Sequence, residues 1–372
     1  MSSGSNDNGK SGVGEGVIQH KCPGCGAPLK YSPNAGTVIC EYCGTKFEVS
    51  QLKTGDESKI NFEWSRYKKS LSGEELEGTL TYECKQCGAV MEAPKNTIAT
   101  FCPYCANNIV LKETSTGGLK PNLVIPFKFP KDKVHSYFKS FTRGKKLLPV
   151  NYFKGCMIGE VQGVYLPFWL FTTKVGGKYT FTSSSVEKSW SDSSYHYTKY
   201  NVYSHVREGT LDFAKVPMDA SKKMKDELMD SIEPYDYSEL VEFNNLYLDG
   251  FLAERFDSPP DSELYRAEYR ISQSTEELFT GSKTERKYDK VNAKSKNISF
   301  IDPKMEYALL PVYLFTCRYN DVDYHYAING QTGKVAGVLP KSKRRGLLRC
   351  LVAFIIAFCL SAGSCVLPQL FW

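Results

Sequence analysis

Eight of the thirteen cysteines fall into two frames with the same spacing, C-x2-C-x14-C-x2-C. The cysteines of the two frames are Cys22, Cys25, Cys40 and Cys43, and then Cys84, Cys87, Cys102 and Cys105. Each CxxC turn directs two thiolates at one ion, and two such turns complete the tetrahedral shell that zinc prefers. The spacing therefore predicts two tandem four-cysteine zinc ribbons, at residues 21–50 and 82–112, each with one structural zinc ion.

A disulfide framework is the alternative interpretation of these cysteines. Residues 1–16 lack the apolar core of a secretory signal, and thirteen is an odd number of thiols. A disulfide framework does not require the same 14-residue spacer in both frames, whereas two metal knuckles explain it. Because cysteine fills all four positions at each ion, no position remains for an activated water, and a structural zinc is favoured over a catalytic one.

The C-terminal end of the chain is apolar, with no charged residue in residues 350–367. The basic residues that come just before it are Lys341, Lys343, Arg344, Arg345 and Arg349. An apolar run of about 18 residues is near the minimum that spans a bilayer, and a basic collar is typical of the cytoplasmic side. This pattern predicts a juxtamembrane collar at 341–349, a transmembrane segment at 350–372 and membrane lipid as a partner. The expected localisation is the cell membrane, single-pass, with the N-terminal body in the cytoplasm; a buried C-terminal helix is the alternative.

Composition divides the rest of the chain into further segments. Residues 1–20 are rich in Gly, Ser and Asn and predict a disordered tail, and residues 51–81 predict a polar connector. Residues 123–340 are rich in aromatic and β-branched residues with regular turn signals, which predicts an α+β domain rich in antiparallel sheet. The predicted fold class is thus multidomain, with two tandem ribbons, this α+β domain and a C-terminal transmembrane helix.

Short signals within residues 123–340 predict individual elements. Gly176-Gly177 predicts a tight hairpin turn, and Pro259-Pro260 predicts the start of a helix. Residues 166–172 and 310–316 each read Leu-Pro, then an apolar and aromatic run that ends in Phe-Thr. This similarity indicates an internal duplication, and the proline in each copy predicts an edge strand or a strand start.

Charge and histidine spacing limit the possible functions. The chain has a net charge of +6, but each ribbon carries only +1 and no arginine, so nucleic-acid binding is possible but not favoured. The sequence holds no GxxxxGK[ST] phosphate loop, and its five histidines form no HxxxH or HxH pair. Cys156 and Cys317 lack a nucleophile signature. The expectation is that the protein is not an enzyme, with no catalytic residue and no small-molecule substrate.

A resemblance to a known family adds to these expectations. The paired ribbons, followed by IPFKF at 125–129, GVYLPFWLF at 163–171 and INGQTGKVAG at 328–337, resemble the bacterial transcription-factor-IIB-type zinc-ribbon membrane proteins, sometimes labelled primosomal-helicase-like. The resemblance covers about residues 21–340 and implies a module of envelope-stress systems that works with flotillin-like or phage-shock-type proteins. The expected function is a non-enzymatic, membrane-anchored zinc-ribbon adaptor for protein partners; the alternative is a membrane-tethered nucleic-acid-binding protein.

Overall fold

The computed structural model describes residues 17–18, 20–52, 79–83, 90–94, 97–101, 108–111, 121–222, 224–281, 288 and 290–366. Within these ranges twelve strands form one large mixed sheet, three form a small sheet beside the first cysteine frame, and two form a hairpin. The strands are β1 Val17–Ile18, β2 Leu29–Ser32, β3 Thr37–Cys40, β4 Lys46–Phe47, β5 Thr79–Glu83, β6 Val90–Pro94, β7 Thr97–Phe101, β8 Asn108–Leu111, β9 Leu123–Val124, β10 Met157–Ile158, β11 Gln162–Ser191, β12 His196–Asp219, β13 Val241–Glu242, β14 Leu252–Glu254, β15 Lys290–Tyr319, β16 Val322–Asn329 and β17 Val335–Gly337. The α-helices are α1 Val134–Thr142, α2 Tyr152–Gly155, α3 Asp226–Ile232, α4 Pro260–Thr280 and α5 Lys343–Val366.

The large sheet runs in the order β1-β8-β7-β14-β11-β15-β16-β17, and β12 also pairs with β11. The long strands β12 and β15 each pair antiparallel with β11, whereas the short strands β14 and β9 pair parallel with β11 and β15, respectively. Along β11 from Thr173 to Ser183, odd-numbered side chains are buried and even-numbered ones are exposed or half-buried, the period of two that one covered face requires. The α+β character predicted for this region is confirmed.

Aromatic side chains fill the core on one face of the large sheet. Trp169 is fully buried, its ring centroid lies 5.1 Å from that of Tyr307, and its Nε1 donates to the Ser258 carbonyl oxygen at 3.1 Å. The opposite face is covered by α3, whose Met229 and Ile232 pack in a second buried cluster with sheet residues. Buried aromatic rings remove large apolar areas from water, so their packing stabilises the sheet domain.

The Gly176-Gly177 pair lies inside β11 and forms no turn, so the predicted hairpin at this position is wrong. Gly177 pairs with Gly209 of β12, and a Cβ at Gly177 would lie 3.2 Å from the ring of Phe279 on α4. Glycine at this position therefore allows α4 to approach the sheet closely. Close approach of another part of the chain is one of the reasons why glycine occurs within strands. The chain reverses instead after Ser191, where the backbone N–H groups of Ser194 and Tyr195 donate to the Asp192 carboxylate.

The two Leu-Pro segments lie side by side in the sheet interior, so the predicted edge position of their prolines is wrong. Leu166 pairs with Leu310. On β11, pairing with β14 stops at Tyr165 and pairing with β12 starts at Phe168, with Pro167 in the gap. On β15, pairing with β9 stops at Leu309 and pairing with β16 starts at Val312, so Pro311 occupies the corresponding gap. Proline lacks an N–H, and these are positions at which no neighbouring strand needs one.

The predicted fold class, which included two tandem zinc ribbons, is also wrong. Strands β7 and β8, from the segment assigned to the second ribbon, belong to the large sheet: Ala99 pairs with Ala253 of β14, and β1 pairs with β8 through Val17 and Leu111. This segment therefore extends the sheet and does not form a separate ribbon domain. The second cysteine frame, Cys84, Cys87, Cys102 and Cys105, lies outside the described residues.

The predicted transmembrane helix and the single-pass membrane localisation are wrong as well. Helix α5 runs from Lys343 to Val366, and residues 367–372 of the predicted segment lie outside the described residues. In the described part of the chain, no helix is both long enough and apolar enough to cross a membrane. The start of α5 is bound to the sheet domain, since Ser342 donates its backbone N–H to the Leu147 carbonyl at 2.8 Å.

Candidate metal centre

The four cysteines of the first frame converge on one point. Their Sγ atoms all lie within 4.8 Å of one another, with 3.6 Å between Cys22 and Cys43 and 3.4 Å between Cys25 and Cys40. A tetrahedral zinc–thiolate centre with Zn–S bonds of about 2.3 Å requires sulfur–sulfur separations of about 3.8 Å. The four thiols therefore fit a metal ion such as zinc without rearrangement of the backbone, as the spacing predicted.

Two equivalent backbone knuckles place these thiols. In the first, the Gly26 N–H donates to the Cys22 carbonyl at 2.8 Å; in the second, the Gly44 N–H donates to the Cys40 carbonyl at 2.8 Å. Both glycines have φ of +73°, a left-handed conformation that a side chain would strain. The second knuckle follows β3 directly, so the small sheet β2-β3-β4 positions it. Glycine four residues after the first cysteine of each CxxC pair is the local signal for this geometry.

The four thiols differ in exposure and acidity. Cys22 and Cys40 are buried, whereas Cys25 and Cys43 are exposed. The Thr45 hydroxyl, 3.1 Å from the Cys43 sulfur, lowers the pKa of Cys43 to about 6. The Ala27 backbone N–H favours the Cys25 thiolate, but lost hydration and the bond with Cys40 outweigh it and raise the pKa of Cys25 to about 12. Cys43 therefore ionises at a lower pH than Cys25, and metal binding has to displace the proton that Cys25 retains.

The ribbon rests on the large-sheet domain. Tyr31 of β2 donates its backbone N–H to the Asp249 carbonyl at 2.9 Å, and its ring lies edge-on to Tyr247 with centroids 5.3 Å apart. The His20 Nδ1 lies 3.0 Å from the Asp249 carboxylate, and both side chains are largely buried. Sequence reasoning did not find these contacts, because His20 and Asp249 are 229 residues apart and neither belongs to a motif. The metal centre is thereby joined to the turn before β14.

Outside this centre, the described residues bring together one further cysteine pair. Cys156, just before β10, and Cys317 of β15, which the sequence left without a role, lie side by side with Cα atoms 5.7 Å apart. The Tyr152 hydroxyl donates to the Cys317 sulfur at 3.3 Å. In the described ranges, the Cys22 frame is the group of metal-ligating side chains close enough to share an ion.

The fold and the site together define a class: an α+β sheet protein that carries a four-cysteine ribbon able to hold a metal ion. Neither a family model nor a solved structure matches the chain. The chain is 32% identical over 331 residues to the uncharacterized protein YdjG of Bacillus subtilis (strain 168), a match that covers 88% of this chain and 91% of that relative. The chain belongs to the family of YdjG.

Proposed function

We propose that this protein is a non-enzymatic adaptor whose ribbon, stabilised by one structural zinc ion in the first frame, presents a surface for a protein partner. The observation that supports this most directly is the complete cysteine shell, in which four converging thiols leave no position for substrate or an activated water. A metal in such a site contributes folding energy and does not activate a reactant.

The outer knuckle supplies the contact surface in this proposal. Tyr42 lies between Cys40 and Cys43 in sequence and is 85% exposed. Tyrosine is a common anchor residue in protein interfaces. Lys30 and Glu41 form an exposed ion pair on the same ribbon, so the surface around Tyr42 carries both charges, which suits a protein better than a phosphate backbone.

The resemblance described from the sequence provides the partner class. It implies envelope-stress proteins of the flotillin-like or phage-shock type, and we propose these as the partners of the ribbon. The ribbon segment 21–50 carries Lys21, Lys30 and Lys46 against Glu41 and Glu48, a net charge of +1 that gives little attraction for nucleic acid. Nucleic-acid binding is therefore an alternative outcome of the test and not a second proposal.

The test compares full-length wild type with Tyr42→Ala and with Tyr265→Ala, a control at a tyrosine on α4 that is also 78% exposed. Each protein is used to capture partners from cells, and flotillin-like or phage-shock-type proteins identified in this way are then purified and titrated against it. We expect Tyr42→Ala to weaken the direct interaction about tenfold or more, and Tyr265→Ala to leave it unchanged. Zinc content of all three proteins is measured by elemental analysis and should be equal.

Two results would contradict this function. If purified candidate partners bind wild type and Tyr42→Ala equally, the outer knuckle is not the contact surface. If nucleic acid co-purifies in place of protein and is lost in Tyr42→Ala, the nucleic-acid alternative replaces the adaptor. A change in zinc content in Tyr42→Ala would require the less disruptive Tyr42→Phe, which keeps the ring and tests the hydroxyl alone.

A further inference from the structure

Two cysteines of the large-sheet domain take no part in the metal centre. Cys156 lies between α2 and β10, and Cys317 lies near the end of β15. The register places Ile158 opposite Cys317, so Cys156 comes just before the paired residues of β10. The two Cα atoms are 5.7 Å apart, although the cysteines are separated by 161 residues in sequence. Cysteines joined by a disulfide have Cα separations of about 4.4 to 6.8 Å, so the fold holds this pair at bonding distance.

The two thiols differ in their access to solvent. Cys317 is fully buried, and its sulfur lies 3.3 Å from the Tyr152 hydroxyl oxygen. Cys156 is half-buried and lies between two exposed residues, Gly155 and Met157. A small oxidant from solvent therefore reaches Cys156 first, and Cys317 is the neighbouring thiol that can react with the oxidised sulfur. An accessible thiol beside a second, resolving cysteine is a feature of redox-sensing sites.

The segment that carries Cys156 makes few backbone hydrogen bonds to the sheet. Helix α2 before it has only four residues, and β10 pairs with β15 at two positions. The Gly159 N–H donates to the Thr316 carbonyl at 2.8 Å and so extends this short contact by one bond. A segment held by so few bonds opens locally at low cost in free energy. A covalent bond from Cys156 to the buried Cys317 would restrain that opening.

We propose that Cys156 and Cys317 are an oxidisable pair, which a hydroperoxide converts into a disulfide and a small thiol converts back. The Cys156 thiolate attacks one peroxide oxygen and becomes a sulfenic acid. The O–O bond breaks, and the other oxygen leaves as an alcohol, or as water from hydrogen peroxide, with the proton that Cys156 released. Cys317 then attacks the Cys156 sulfur, the S–S bond forms, and the hydroxyl group leaves as water with the Cys317 proton. The two thiols together lose two electrons, which the peroxide accepts.

The bridged state fastens residues 155–160 to β15, so oxidation stabilises this outer part of the large-sheet domain and reduction releases it. This inference goes beyond the proposed adaptor function. It involves neither the ribbon cysteines nor Tyr42, so the two proposals can fail separately.

The first measurement maps the bond in the full-length, zinc-loaded protein, before and after treatment with hydrogen peroxide, by alkylation, tryptic digestion and mass spectrometry. Trypsin cleaves the two regions after Lys154, Lys174, Lys304 and Arg318. The resulting peptides, 155–174 and 305–318, contain one cysteine each. We expect them to be separate and alkylated before treatment and cross-linked after it. Dithiothreitol should separate them again.

The second measurement tests what the bond does, by thermal unfolding and hydrogen–deuterium exchange of the same samples. Because the bond closes a loop across 161 residues, oxidation should raise the unfolding temperature of the large-sheet domain by about 5 °C or more. Amides of residues 155–160 should exchange more slowly, and those of residues 164–170 should be unchanged. Cys156→Ala should lose both effects, whereas Cys350→Ala, at an exposed thiol of α5, should keep them. Oxidation of the ribbon thiols would affect both variants equally.

Three results would overturn the proposal. The two peptides could stay separate after peroxide, with Cys156 recovered as a thiol, as a higher oxide or bonded to a different cysteine. The cross-link could be present in untreated protein and persist in dithiothreitol, which would make it a permanent bridge. It could also form and reverse while unfolding and exchange stay the same. Because the peptides are mapped in wild type, a folding defect of Cys156→Ala would not prevent a decision.

Discussion

The ribbon and the large-sheet domain are in contact, yet each is stabilised internally by a different kind of interaction. The sheet domain buries large aromatic side chains such as Trp169, Tyr165 and Tyr307 completely. Besides two of their own cysteines, residues 20–50 bury four apolar side chains, those of Leu29, Tyr31, Val38 and Val49. A segment of about 30 residues cannot bury enough apolar surface to offset its chain entropy. The contrast indicates that the ribbon depends on metal coordination, whereas the sheet domain depends on packing.

Metal removal should show the largest difference in stability between the two regions. Structural zinc contributes apparent free energies of about 10 to 16 kcal/mol in small cysteine-rich domains, so a chelator should unfold residues 21–47 and leave the sheet folded. Hydrogen–deuterium exchange would show loss of protection in β2 and β3 and unchanged protection in the central part of β11. Cys40→Ser should behave like chelation, whereas Cys350→Ser, at an exposed thiol of α5, should not. Persistent protection of the ribbon after complete metal removal would contradict the comparison.

Loss of one core aromatic side chain should have the next largest effect, in the other region. Trp169→Ala removes a fully buried ring and its hydrogen bond to Ser258, and we expect a loss of about 3 to 5 kcal/mol in the free energy of unfolding. The control is Trp190→Ala, at a ring 45% exposed near the end of β11, with an expected loss below about 1 kcal/mol. Urea denaturation measures both. Equal losses would show that the ring packing around Trp169 is not the source of stability.

A buried acid should make the sheet domain sensitive to pH. Burial raises the pKa of Asp219 to about 6, although Arg266 Nη1 donates to its carboxylate at 2.7 Å. Other acids around the same guanidinium also raise this pKa; they are Asp226 and Glu263. Because the folded pKa lies above the unfolded value of about 3.9, the folded state holds the proton more tightly, and this stabilisation is lost as pH rises through about 6.

The expected size of this effect is about 1 kcal/mol of unfolding free energy between about pH 5 and about pH 8, with the lower pH more stable. Thermal or urea unfolding of the sheet domain across this range measures it. Asp219→Asn keeps an oxygen acceptor for Arg266 but cannot ionise, so the variant should lose this part of the pH dependence. The same pH dependence in Asp219→Asn would assign the effect to another group.

The smallest expected effect concerns the surface of the ribbon. Lys30 and Glu41 form an ion pair at 3.0 Å, but their side chains are 53% and 71% exposed. Solvent screens such pairs, so Glu41→Gln should change the stability of the metal-loaded ribbon by less than about 0.5 kcal/mol. Competition with a chelator measures the change as a shift in apparent metal affinity. A loss comparable with that of a cysteine substitution would mean that surface charge, and not coordination, holds the ribbon.

The sequence predicted the metal centre of the first frame more accurately than it predicted the fold around it. Four thiols within 22 residues converge because two short knuckles and one hairpin suffice to place them, and each knuckle has its own glycine. The contacts of His20 and Tyr31 with the Asp249 region were not predictable, because they join residues far apart in the chain.

Two local signals in the larger domain had meanings that depended on distant residues. Gly177 reads as a turn residue until Phe279 of α4 is placed against it, and Pro167 reads as an edge residue until the ends of β14 and β12 are known. The apolar C-terminal run reads as a membrane span, yet no helix in the described part of the chain is both long enough and apolar enough to cross a membrane.

The sequence by itself thus determined the convergence of the four thiols of the ribbon and the helix that begins at Pro260, since each depends on side chains a few residues apart. The tertiary structure alone decided that β7 and β8 join the large sheet, that the Leu-Pro segments pair with each other, and that the ribbon lies against the turn before β14. These features arise from backbone pairing and burial between distant segments. The sequence of one segment does not specify which distant segment will pair with it.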